Sequence, residues 1–125
     1  MSARKTVLIP FKLVSGQSMA STVTSAAVNV QYLDNIAFQA IFTGTPTGTF
    51  SVQVSLDHQE NFVGTGVVTP GTWTNLTLSP VPAATGAAGS VVIDLNQISA
   101  PWVRLVYTPT SGTGTLNAYV SGKQL

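Results

Sequence analysis

The chain has no cysteine, a single histidine, five Lys or Arg and four Asp or Glu among its 125 residues. Without cysteine there is no disulfide framework, thiol nucleophile or thiolate metal site. With His58 alone, no HxH or HExxH spacing exists. The charged fraction of 7% sits far below the roughly 25% of ordinary globular proteins. A net charge of +1 leaves no basic stripe to neutralise a run of phosphates, so nucleic acid is excluded as the main partner. So little charge also leaves little repulsion between copies, which favours a protein that works assembled. No apolar run approaches the ~20 residues of a membrane span. The opening MSARKTVLIPFKLVSG has the look of a signal peptide, but Pro10 and Lys12 interrupt it and Val7, Ile9, Phe11 and Leu13 alternate, as in a strand. No sustained i, i+3, i+4, i+7 pattern marks a helix.

Thr, Ser, Asn, Gln and Gly fill the place of the missing charge, set among apolar residues that make up 44% of the chain. Disorder combines low hydrophobicity with high charge; the opposite balance predicts a folded chain. The length suits one domain over 1–125, burying roughly two thirds of its unfolded surface. Alternation and β-branched residues predict strands at 6–14, 22–32, 35–43, 49–57, 73–79, 90–95, 101–108 and 115–121. Gly and Pro punctuate the links Gly44 to Gly48, Gly64 to Gly71, Pro80 to Gly89 and Ser111 to Gly114. About eight short strands without a helix predict an all-β fold: an antiparallel, jelly-roll-like β-sandwich. Residues 1–14 read as its first strand or as an extended N-terminal arm.

Alternation also assigns faces. Ile36, Phe38, Ala40 and Phe42 point to the core, as do Phe50, Val52, Val54 and Leu56, leaving Ser51, Gln53 and Ser55 outside. The short link between these two strands predicts a hairpin. Val91, Ile93 and Leu95 make a third apolar row. Val103, Leu105 and Tyr107 face Leu116, Ala118 and Val120 across a second hairpin closed by Ser111 to Gly114. Burying one large apolar side chain is worth ~1.5–3 kcal/mol, so such rows hold a fold without metal, disulfide or cofactor. VPAATGAAG, Val81 to Gly89, reads as a long surface loop.

The densest polar cluster is LDHQE, with Asp57, His58 and Glu60. A carboxylate beside an imidazole can bind metal or move protons. At a strand end, however, Asp57 and His58 diverge, and a solvated loop is the expectation. No GxSxG occurs and His58 is the sole usual base, so no catalytic, metal or cofactor residue is assigned and the chain reads as a non-enzyme. Gly64-Thr65-Gly66 and Gly112-Thr113-Gly114 precede neither a helix nor a GK[ST] and cradle no phosphate. Asn75-Leu76-Thr77 matches a glycosylation acceptor by chance in so Thr-rich a chain. Trp73 starts a strand. Trp102 and Arg104 lie opposite Val103 and Leu105, and Trp102 has three roles open to it: capping the core edge beneath Arg104, a subunit interface, or a sugar-stacking platform. With so few charges present, Arg104 is expected to pair with Asp57 or Asp94.

FTGTPTGTFSVQVSLD (Phe42 to Asp57), Trp73 followed by LTLSP, and SAPWVRLVYTPTSGTGTLNAYVSGKQL (Ser99 to Leu125) together resemble small structural proteins of tailed bacteriophages. In those proteins a Gly-Thr hairpin leads to a strand ending in Ser-x-Asp. A later Trp-Val/Ile-Arg-Leu-x-Tyr strand turns through Ser-Gly-x-Gly into a final strand near a Lys. The resemblance covers roughly the last two thirds of the chain and is a pattern of hairpins rather than a catalytic signature. It implies a virion protein, most like the jelly-roll decoration or cementing proteins of phage heads, with tail- or fibre-associated sandwiches close in style. The implied partners are further copies of the chain and the major capsid protein or other virion proteins. A glycan, held by Trp73 or Trp102, is the alternative. Arg4, Lys5, Phe11 and Lys12 of the N-terminal arm, Trp102 with Arg104, and the loop Val81 to Gly89 are expected at interfaces. Sheet edges so poor in charge are expected to be covered by neighbours.

Overall fold

The computed structural model describes residues 7–60, 67–69 and 71–124. Among them the strands are β1 (Val7–Ser18), β2 (Val23–Thr24), β3 (Val28–Asn29), β4 (Asn35–Gly44), β5 (Thr47–Ser55), β6 (Gln59–Glu60), β7 (Val67–Thr69), β8 (Thr74–Asn75), β9 (Ala83–Thr85), β10 (Gly89–Leu95), β11 (Trp102–Ser111) and β12 (Gly114–Lys123). One sheet runs β1-β12-β4-β10. The other runs β2-β11-β5-β8, with β3 also on β11 and β9 also on β5; β6 and β7 pair separately. β2 and β3 act as two pieces of one strand position, and so do β8 and β9. The result is two four-position antiparallel sheets between which the chain crosses repeatedly. That is a jelly roll.

The short links cross between the sheets instead of joining neighbours within one. β4 pairs with β12 and β10, while β5 pairs with β11, so neither β4–β5 nor β11–β12 is the hairpin that link length suggests. Pro46 supplies one reason. A type I′ loop needs positive φ at both central residues, and proline is held near −65°. Its side chain is instead fully buried. The two crossings pack on each other, the Thr45 N–H donating to the Thr113 carbonyl at 2.8 Å, and the link after β1 joins them where the Met19 N–H donates to the Gly114 carbonyl at 2.9 Å. Gly112, at φ +78°, passes so close that a Cβ there would overlap the Thr45 carbonyl oxygen. Glycine is required on both counts.

The apolar rows of β4, β10, β11 and β12 meet in one core with Phe50 and Val52 of β5. Phe42 and Phe50 stack at 5.8 Å between centroids, and Phe50 lies 4.9 Å from the Tyr107 ring. The expected faces fail in two places. β5 ends at Ser55, which is 2% exposed, and the chain turns there, throwing Leu56 outward to 77% exposure. β1 shifts register between Leu8 and Phe11, Lys12 and Val14, and Val14 and Gln17. Each shift reorients the side chains that follow. Val14 therefore enters the core while Val7, Ile9 and Phe11 stay exposed. The segment Val81 to Gly89 is no free loop either. It contains β9, paired along Thr47–Thr49, and the Phe50 N–H donates to the Pro82 carbonyl at 2.9 Å.

Candidate functional site

The outer face of the β11–β5–β8 sheet gathers most of the chemistry in the chain. Trp102 pairs with Ser55, and Arg104 with Gln53; Gln53 pairs in turn with Asn75. Continuing the β5–β8 register sets Trp73 beside Ser55. Two rows result, Trp102–Ser55–Trp73 and Arg104–Gln53–Asn75, one pleat apart and both facing away from the core. Ser55 is small, and the space above it is taken by His58. The imidazole lies 5.0 Å from the Trp102 ring and 5.1 Å from the Trp73 ring. A ridge of indole, imidazole and indole thus runs beside a strip of guanidinium and amides.

Arg104 departs from its expected pairing. Its Nε–H donates to Gln53 Oε1 at 2.7 Å, and its guanidinium lies 4.3 Å from the centroid of the Trp73 ring. Asp94 stands on the other sheet, opposite Ala37. Asp57 is occupied elsewhere: its Oδ1 accepts from the Ser55 hydroxyl at 2.8 Å and the Thr72 N–H at 2.8 Å. Those bonds, the Thr72 amide first, hold the Asp57 carboxyl below the ordinary range; burial lowers the Arg104 value. Stacking on an indole and donating to an amide replace a salt bridge in a surface almost without acids.

His58 is buried, not solvated. Its N–H donates to Ser55 Oγ at 3.1 Å, and its Nδ1 accepts from the Gly71 N–H at 3.4 Å. A Cβ on Gly71 would come within 2.8 Å of the His58 backbone, so the chain at Gly71 lies directly against it. Asp57 and His58 do not part as alternation predicts: both bond to Ser55 and to the adjacent Gly71 and Thr72, because the chain turns after β5 and folds back over the sheet. Among the described residues no three His, Asp or Glu side chains converge as a metal site. Glu60 brings only its backbone into the description, and Gly64-Thr65-Gly66 lies outside the described residues.

Of the residues expected at interfaces, Arg4 and Lys5 lie outside the described residues. Phe11 sits exposed in edge strand β1 opposite Val120, and the Lys12 ammonium lies 5.8 Å from the Tyr119 ring. Both belong to the other sheet, far from Trp102 and Arg104. Gln53, Asn75 and His58 join the tryptophans although sequence reasoning did not place them there. The one legible signal was a Gln among the small outward residues of β5.

No family model matches the chain, and no curated protein does. Among solved structures it is similar to the dimeric latent PorU of Porphyromonas gingivalis, at TM-score 0.35 and 12% identity over 96% of this chain. The chain spans 12% of that protein's length, and a likeness at this level carries no argument about fold or function.

Proposed function

We propose that this chain is a non-enzymatic virion structural protein that homo-oligomerises and decorates or cements a phage capsid, with a tail or fibre position as the alternative. The resemblance to phage structural proteins supports the virion; the outer face of the β1-β12-β4-β10 sheet carries the assembly. Tyr119, Gln39 and Val92 lie in one row across that face, and Asn117, Ile41 and Ser90 in the next. Val92 is 63% exposed and Ile41 40%. Large apolar side chains exposed on an ordered sheet gain by being covered.

The two edges of this sheet are unlike. β1 carries the three register shifts that blunt an edge against pairing. β10 pairs with β4 without a shift from Gly89 to Leu95 and contains neither Pro nor Lys. Among the described residues no strand pairs with its outer edge, which is the one we assign to a second copy. Antiparallel pairing of two β10 strands about Val92 sets Val92 against its counterpart and Val91 beside Ile93 of the second copy. Ser90 then meets Asp94 of the second copy, a hydroxyl against a carboxylate with no like charges opposed.

Light scattering after size exclusion tests this. The wild type is an oligomer at micromolar concentration, and Val92→Lys, on an exposed position, is a folded monomer. A wild-type chain monomeric at ~100 μM, far above the Kd of a stable dimer, defeats the assembly reading. Failure of an oligomeric chain to bind undecorated capsids defeats the capsid reading alone.

A further inference from the structure

Arg104, Gln53 and Asn75 form a hydrogen-bond chain whose polarity is set at one end. A guanidinium only donates. Its Nε–H goes to Gln53 Oε1, which fixes the Gln53 amide; Gln53 Nε2 then donates to Asn75 Oδ1 at 3.0 Å, which fixes the Asn75 amide in turn. The row therefore ends in donors at both extremes: the terminal N–H groups of Arg104 and Nδ2 of Asn75. Among the described residues Arg104 has no carboxylate partner. It is nevertheless held in place, by Gln53 in the sheet plane and by Trp73 beneath it.

We propose that this face is a binding site for an acidic saccharide. The sugar carboxylate takes the terminal N–H groups of Arg104 and a hydroxyl oxygen accepts from Asn75. The apolar face of the sugar packs against the partly exposed Trp102, since His58 is buried beneath the rings and the Trp73 ring already carries the Arg104 guanidinium. Three features select this class. Both ends of the strip are donors, so a ligand bridging them supplies acceptors, while the Gln53 and Asn75 amide oxygens each keep a lone pair for a sugar hydroxyl. Gln53 lies between Arg104 and Asn75 in the row, so its two ends present separate donors that a ligand meets with separate acceptor groups. The neighbouring ridge offers aromatic surface, which binds sugar C–H faces and adds nothing for a bare carboxylate. Asp57, beyond Ser55 on the ridge side, disfavours an anionic group there and turns the ligand carboxylate toward Arg104. Two existing anchors on the Arg104 side chain reduce the ordering cost of binding. Nothing in this site depends on the chain's assembling.

Titration of tryptophan fluorescence with an oligoglucuronate, the glucose oligosaccharide of equal length and linkage, and hexaglutamate tests the site. The oligoglucuronate gives a saturable change, with the neutral sugar and the peptide at least ~10-fold weaker. Arg104→Gln and Asn75→Ala each lose at least ~3-fold in affinity for it. Asn75 is exposed, so its variant keeps the fold and decides the matter alone if Arg104→Gln does not fold. The absence of any saturable change, equal binding of the neutral sugar, tighter binding of hexaglutamate, or an unchanged Asn75→Ala overturns the proposal.

Discussion

Removing one oxygen from the core stabilises this protein. Tyr107 is fully buried, and its hydroxyl has no hydrogen-bond partner among the described residues. It lies against the backbone of Gly48, where a Cβ would come within 2.6 Å of the phenolic oxygen. An unsatisfied buried polar group costs ~1–3 kcal/mol, while the void left by one oxygen is smaller than the methyl-sized cavity that costs ~1 kcal/mol. Tyr107→Phe keeps the ring contact with Phe50 and gains the difference, about 1 kcal/mol. For a chain of 125 residues that amounts to a rise in Tm of about 4 °C. Urea unfolding followed by tryptophan fluorescence, at fixed protein concentration, shows a higher midpoint with the slope unchanged. The same variant has a second signature. Burial pushes the Tyr107 phenol above its usual value near 10. Below pH 10 the folded and unfolded chains both keep the proton; above it the unfolded chain loses the proton first, so stability falls as pH rises toward the folded value. The Phe variant lacks that part of the alkaline loss. A destabilisation of ~1 kcal/mol or more, in line with a lost hydrogen bond, refutes the reasoning.

Gly112→Ala places a Cβ on the Thr45 carbonyl at a φ of +78° and loses more than ~3 kcal/mol or fails to fold; a shift below ~1 kcal/mol shows that the crossings separate easily. The lowered Asp57 carboxyl contributes stability above the unfolded carboxylate range that is lost as pH falls through its folded value. Asp57→Asn therefore flattens the acid limb of the stability profile measured between pH 5 and pH 2, and an unchanged limb contradicts the Thr72 and Ser55 bonds.

The strands were legible because a half-buried strand writes its face into the chain every second residue. Phe38, Phe42, Val103, Leu105, Leu116 and Val120 all went where alternation put them. Pairing was less legible. Link length suggested hairpins at Thr45–Pro46 and Gly112–Thr113, whereas both are steps between sheets, and Pro46 was the available warning. β1 was misread because a bulge resets the face without altering composition. The aromatic ridge was half visible. Trp73 and Trp102 stand out in the sequence, but their separation by one strand depends on β8 and β11 flanking β5, which no local pattern encodes. His58 was misplaced for the same reason: burial of a polar side chain is decided by the residues that close over it, here Trp73, Trp102 and the chain at Gly71.

A sandwich has two outer faces, and this one divides its scarce side-chain chemistry unevenly between them. Ile41, Val92 and Tyr119 lie on one face, with Lys12, Asp94 and Lys123 as its charges. The other holds both tryptophans, His58, Arg104 and the amides of Gln53 and Asn75. Exposed apolar groups such as Val92 and Ile41 gain by being covered whatever the partner, because removal of water drives association without regard to direction. Fixed donors and rings gain only from a ligand of matching geometry and lose when a flat neighbour desolvates them without pairing them. In the proposed assembly the first face makes the repeated contact with copies or a lattice, and the second stays exposed. Since the packed core lies between them, occupation of one leaves the other open, and a chain built into a particle can still present Arg104 and its neighbours outward.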